Sequence, residues 1–77
     1  MAIRVRYFAS LREHMGRAED AVEPERVATV EDVWKTVAGD VALPVNTLIA
    51  VNLEYADSAQ QVADGDEVAF FPPVTGG

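Results

Sequence analysis

The chain ends on two glycines, Gly76-Gly77, approached through Pro72-Pro73-Val74-Thr75. The chemistry on offer at that tip is the α-carboxylate of Gly77. Gly76 and Gly77 carry no Cβ, so they fit a slot too narrow for any other residue. Pro72 and Pro73 have φ fixed and favour extended polyproline geometry, which lowers the entropy lost when a partner orders the tail. From Pro72 to Gly77 the chain reaches roughly 20 Å. Elsewhere reactive groups are sparse: no cysteine is present, and His14 is the single histidine. With no thiol or second histidine to join it, His14 reads as a surface helix residue. Ser10 and Ser58 have no evident base and read as capping and loop residues. No phosphate-binding glycine loop is present.

The tail needs a rigid support. Asp64-Gly65-Asp66 is a turn signal, and Glu67 to Phe71 has the aromatic and β-branched content of a strand that Pro72 must end. At the other end of the chain, residues 2–8 alternate as a strand, with Ile3, Val5 and Tyr7 on one face and Arg4, Arg6 and Phe8 on the other. Ser10-Leu11-Arg12-Glu13 predicts a capping box opening a short helix that stops at Gly16. Residues 19–26 are weakly strand-like, and Pro24 places them at an edge or an end. Their acids, Glu19, Asp20, Glu23 and Glu25, read as protection of an exposed edge rather than a metal site. Thr29 caps the main helix, with Glu31 and Asp32 in its first turn, where the helix dipole favours them. Val30, Val33, Trp34 and Val37 form its core stripe, and Gly39-Asp40 ends it. Leu48 to Asn52 is a strongly apolar inner strand. Asn52-Leu53-Glu54-Tyr55 turns into a short edge segment, and residues 57–63 connect irregularly to the last strand. The order β-α-β-α-β-β predicts an α+β domain with a sheet packed on one helix.

The run DGDEVAFFPPVTGG, residues 64–77, together with the opening strand IRVRYFA, residues 3–9, resembles the sulfur-carrier small subunits of molybdopterin synthase. Length and element order match over the whole chain. Gly-Gly alone is shared with thiamine-pathway sulfur carriers and ubiquitin-like modifiers, which stand as alternatives; the Phe-Phe-Pro-Pro-Val-Thr approach favours the molybdopterin branch. The resemblance implies a ubiquitin-like β-grasp fold, a mixed sheet with the first and last strands adjacent at its middle. It divides the chain into a β-grasp domain, residues 1–71, and a flexible functional tail, residues 72–77. It also implies that an adenylating enzyme of the ubiquitin-activating type uses ATP to activate Gly77, that a sulfur donor protein converts it to a thiocarboxylate, and that the tail enters the large synthase subunit. Catalytic residues are then expected on that subunit, with no cofactor or metal bound by this chain. With no cysteine, sulfur cannot be held as a cysteine persulfide, which agrees with a carboxylate carrier.

Strand alternation adds an interface. If Val68 and Phe70 face the helix, Phe71 faces outward, as Phe8 does on the neighbouring strand. Phe8, Phe71 and Tyr55 are expected to form an apolar patch beside the tail's exit, and clustered exposed aromatics mark partner contacts. Pro72, Pro73, Val74 and Thr75 position the tip. Composition agrees with a carrier. Seventy-seven residues make one domain that buries about 60–65% of its unfolded surface, which leaves little room for a private active site. All six basic residues lie in the first 35 positions; residues 36–77 hold six acids and no base, and the net charge is −7. Such a chain disfavours nucleic acid and suits basic surfaces on protein partners. No membrane-length apolar run or signal pattern is present, so a cytoplasmic location is expected.

Overall fold

The computed structural model describes residues 1–73. The elements are β1 (Ile3–Tyr7), α1 (Ser10–Met15), β2 (Glu19–Val22), a 3-10 turn (Pro24–Arg26), α2 (Val30–Ala38), β3 (Leu48–Val51), β4 (Glu54–Ala56) and β5 (Glu67–Phe71). They form one five-stranded sheet in the order β2-β1-β5-β3-β4. β1 and β5 run parallel at the middle, and all other pairs are antiparallel. With α2 packed on one face, this is the α+β, β-grasp arrangement that the sequence led us to expect. The three-residue edge segment β4 counts as a strand of its own, one more than the predicted string.

The core follows from the two periodicities. Ile3, Val5 and Tyr7 of β1, Val68 and Phe70 of β5, and Ile49 and Val51 of β3 turn to the same side. The α2 stripe of Val30, Val33 and Trp34 closes over them, with Val37 half-buried at its margin. Trp34 meets Phe70 edge to face, centroids 5.1 Å apart. Its indole Nε1 donates to the Val41 carbonyl at 2.8 Å, so this aromatic is a satisfied core residue. Burial raises the Tyr7 phenol pKa well above its usual value, and the Asp20 carboxylate reinforces the shift. The phenol donates to Asp20 at 2.8 Å, and Asp20 also accepts from Arg17. This network fastens edge strand β2 to the core. Asp20 is thereby committed to structure, whereas Glu23 meets Arg26 in an exposed ion pair at 3.2 Å.

Helix starts are solved in two ways. At α2, Thr29 Oγ1 accepts from the Asp32 amide, while Asp32 Oδ2 accepts from the amides of Thr29 and Ala28 at 3.1 and 2.9 Å. These amides hold the Asp32 carboxyl below the usual aspartate range. At α1 the predicted Ser10 capping box does not form. The cap is Ala9, without any side-chain hydrogen bond. The reason is non-local: the Phe8 amide is held by the Phe70 carbonyl at 3.1 Å, so β1 stays paired until Phe8 and reverses at Ala9 alone. Ala9 takes φ 51° and ψ −127°. The carbonyls of Phe8 and Ala9 then accept from Leu11, Arg12 and Glu13, leaving no free amide for Ser10. Gly16 ends α1 in the left-handed region, as expected.

Candidate functional site

The root of the tail grows from the central strand of the sheet, held from both sides. β5 pairs on both sides, Arg4↔Glu67 through Tyr7↔Phe70 with β1 and Leu48↔Phe71 through Val51↔Val68 with β3. Pro72 follows directly, without an amide hydrogen to prolong either ladder. Pro72 is half-buried and Pro73 is exposed. Both border a cleft of about 220 Å³ lined by Ser10, Leu11, His14, Pro44 and Thr47. Thr47 closes its own turn on the Pro44 carbonyl at 2.6 Å. The tail root therefore lies between α1 and the 44–47 turn. Sequence alone marked Ser10 as a capping residue and His14 as a surface helix residue, and only the tertiary fold places them at this cleft. Val74, Thr75, Gly76 and Gly77, the expected positioning residues and reactive tip, lie outside the described residues.

On the face away from α2, Phe8 and Phe71 stack with ring planes 9° apart and centroids at 4.5 Å. The Arg6 guanidinium lies over Phe8 at 5.3 Å. The pair forms one end of a groove of about 230 Å³ that also takes in Leu53 and Tyr55. Its floor is Ala50 and Ala69, directly opposite each other in the ladder. Both alanines are under a tenth exposed although they face outward, because larger side chains flank them. Tyr55 is 82% exposed. The structure thus brings Phe8, Phe71 and Tyr55 onto one face beside the tail root. The sequence reading missed the alanine floor and Leu53. The visible signal for the floor was the outward phase of Ala50 and Ala69. The signal for Leu53 was an apolar residue in a two-residue turn.

Other surfaces offer less chemistry. A hollow of about 680 Å³ beside α2 is lined by Trp34, Lys35, Val41, Leu43 and Ser58 among others. Its Lys35 and Glu31 pair with each other at 3.3 Å. Among the described residues no three His, Cys, Asp or Glu side chains converge as a metal site. None of their helices is long and apolar enough to cross a membrane.

Comparison with known proteins follows the same outline. The ThiS family pattern matches residues 5–77. The molybdopterin synthase sulfur carrier subunit of Escherichia coli is 38% identical, with 97% of this chain and 99% of that protein covered. Its counterpart in Haemophilus influenzae is 42% identical at the same coverage. Among solved structures, the small archaeal modifier protein 1 of Haloferax volcanii superposes with a TM-score of 0.78 at 28% identity, covering 95% of this chain and 98% of that one. A complex of subunits 1 and 2 of the molybdopterin-converting factor from Helicobacter pylori contains a chain of the same fold, with TM-score 0.68, 20% identity and full coverage of both chains.

Proposed function

Because this chain belongs to the ThiS family, and within it to the molybdopterin synthase sulfur carrier subunits, we propose that its Gly77 carboxylate carries sulfur for building the molybdenum cofactor. The observation that supports this reading is a family match running to Gly77, a few residues beyond the end of the central strand β5 in the sequence.

A carboxylate is a poor acyl electrophile and must be activated first. A Gly77 oxygen attacks the α-phosphorus of ATP on an adenylating partner, and pyrophosphate leaves. The acyl-adenylate now has AMP as a good leaving group. The terminal sulfur of a donor persulfide attacks the carbonyl carbon and the C–O bond to AMP breaks. A thiol then cleaves the S–S bond of the acyl disulfide, the donor leaves as a disulfide with that thiol, and Gly77 is left as a thiocarboxylate. That soft anion is a nucleophile near neutral pH, and it passes its sulfur to the cyclic pterin precursor inside the large synthase subunit. Two such transfers supply both sulfurs of the dithiolene. In each, water hydrolyses the thioester formed between Gly77 and the pterin, the acyl C–S bond breaks with the sulfur left on the pterin, and Gly77 returns as a carboxylate, ready for reloading.

In this reading the chain supplies position and clearance, and the partners supply catalysis. Gly76 gives passage through narrow active sites, and Pro72 to Thr75 set the reach. Phe8, Phe71 and Tyr55 form the contact beside the tail root. ATP belongs to the activating enzyme, and the reactions are placed in the cytoplasm.

The test is intact-protein mass spectrometry after incubation with ATP, the adenylating enzyme and a sulfur source. The expected result is a mass gain matching oxygen replaced by sulfur, localised to Gly77, and then lost on adding the large subunit and the pterin precursor. No gain, with the enzyme active on another carrier, would sink the proposal. Isopeptide adducts to lysines would point instead to a modifier, the role named for the Haloferax protein of similar fold.

A further inference from the structure

The β3–β4 turn is built against its own interest. Val51 pairs with Glu54, so the loop is the two residues Asn52 and Leu53. Their φ angles are 51° and 69°. Positive φ at both positions is the type I′ hairpin turn, whose second position favours glycine. Here it holds a leucine that is 88% exposed. In the free protein Leu53 is unfavourable twice, as a Cβ-bearing residue in the left-handed region and as a bare aliphatic side chain in water.

The turn is also braced. The Asn52 amide donates to the Glu67 carbonyl at 2.8 Å, and the Glu67 amide donates to Asn52 Oδ1 at 3.0 Å. Asn52 Nδ2 donates to Asp66 Oδ1 at 2.9 Å. Leu53 thus projects from a loop whose Asn52 is fastened to the start of β5, so little backbone freedom is left to lose on binding. It lines the same outer groove as Phe71 and Tyr55. β5 runs from this end to the tail root, roughly 13 Å at about 3.3 Å per residue. The groove therefore joins the tail exit to the hairpin tip without a break.

From these features we infer that Leu53 is a second anchor for the large synthase subunit, inserting into an apolar socket rimmed by basic side chains. Continuity with the Phe8–Phe71 patch selects this partner, since the surface that receives the tail root must extend along the groove. The charge around the tip selects the rim: Glu54 follows Leu53 and pairs with Val51, Asp66 accepts from Asn52, and Glu67 lines the groove, while the arginine of the groove, Arg6, lies over Phe8 at its other end. Exposed apolar residues held rigidly in a strained backbone mark contact sites. The inference rests on the function proposed above and adds an anchor at the end of the sheet remote from the tail root at Phe71 and Pro72.

Leu53→Gly and Leu53→Asn test it, since both residues accept positive φ. Each variant should unfold at the same or higher temperature than the parent and bind the large subunit about tenfold more weakly. Adenylation of Gly77 should be unchanged. Phe71→Ala is measured in parallel. If Phe71→Ala weakens binding and the Leu53 variants do not, the second anchor is wrong and the aromatic patch stands. If neither weakens it, the outer face is not the interface and both fall. If the Leu53 variants slow adenylation and leave large-subunit binding intact, the assigned partner is wrong.

Discussion

Phe70 and Phe71 are consecutive and chemically identical, yet they face opposite fates. Phe70 has no exposed surface and packs against Trp34 and Tyr7. Truncating a buried Phe to Ala costs about 3–5 kcal/mol. A domain of this size has roughly 4–11 kcal/mol in all. Phe70→Ala should therefore be largely unfolded at 37 °C, seen as loss of the cooperative transition in circular dichroism. Phe71 loses mainly its stack on Phe8, worth about 1 kcal/mol. Phe71→Ala should keep its fold and bind the large subunit at least about tenfold more weakly by calorimetry; unchanged binding would remove the patch from the interface. This split was legible beforehand, because strand alternation separates Val68 and Phe70 from Glu67, Ala69 and Phe71. The stacking of Phe8 on Phe71 was less so, since it needs β1 and β5 to be neighbours, a pairing between the two ends of the chain.

At the scale of the element, α2 depends on its first turn. Thr29→Ala removes the acceptor for the Asp32 amide and should cost about 1 kcal/mol. That corresponds to a fall of about 4–8 °C in Tm for a domain this small. Asp32 adds a pH dependence. Its folded pKa is depressed by the Ala28 and Thr29 amides, so its contribution is complete above about pH 4 and is lost as pH falls through the folded value. Asp32→Ala should melt below the parent at pH 7, and the gap should close in acid; a gap constant with pH would contradict this origin. Thr29 as cap and the α2 stripe were readable because both are local patterns. Ser10 carried an equally good local pattern at α1, and the prediction failed there. The ladder from β1 to β5 fixes Phe8 and forces the reversal onto Ala9, and no window of sequence around Ser10 contains that constraint.

For the whole molecule, charge and topology set how it meets its partners. A net charge of −7 should speed encounter with basic surfaces, so association with the large subunit should slow by about tenfold or more from low to high salt. A salt-independent rate would assign the acidic surface to solubility alone. Deleting Gly77 should leave the melting transition in place and abolish sulfur loading in the mass assay. The sheet order was beyond reach of composition and periodicity, and entered only through the resemblance carried by residues 64–77 and 3–9. That order also has a mechanical meaning. Because β1 and β5 are parallel neighbours, tension between the start of β1 and the end of β5 runs along both strands. The bonds between them, and those from β5 to β3, are then strained in shear and share the load, instead of opening one at a time as in a zipper. A partner can thus draw on the tail, or grip it through successive steps of loading and delivery, with the force borne by the strongest direction of the sheet.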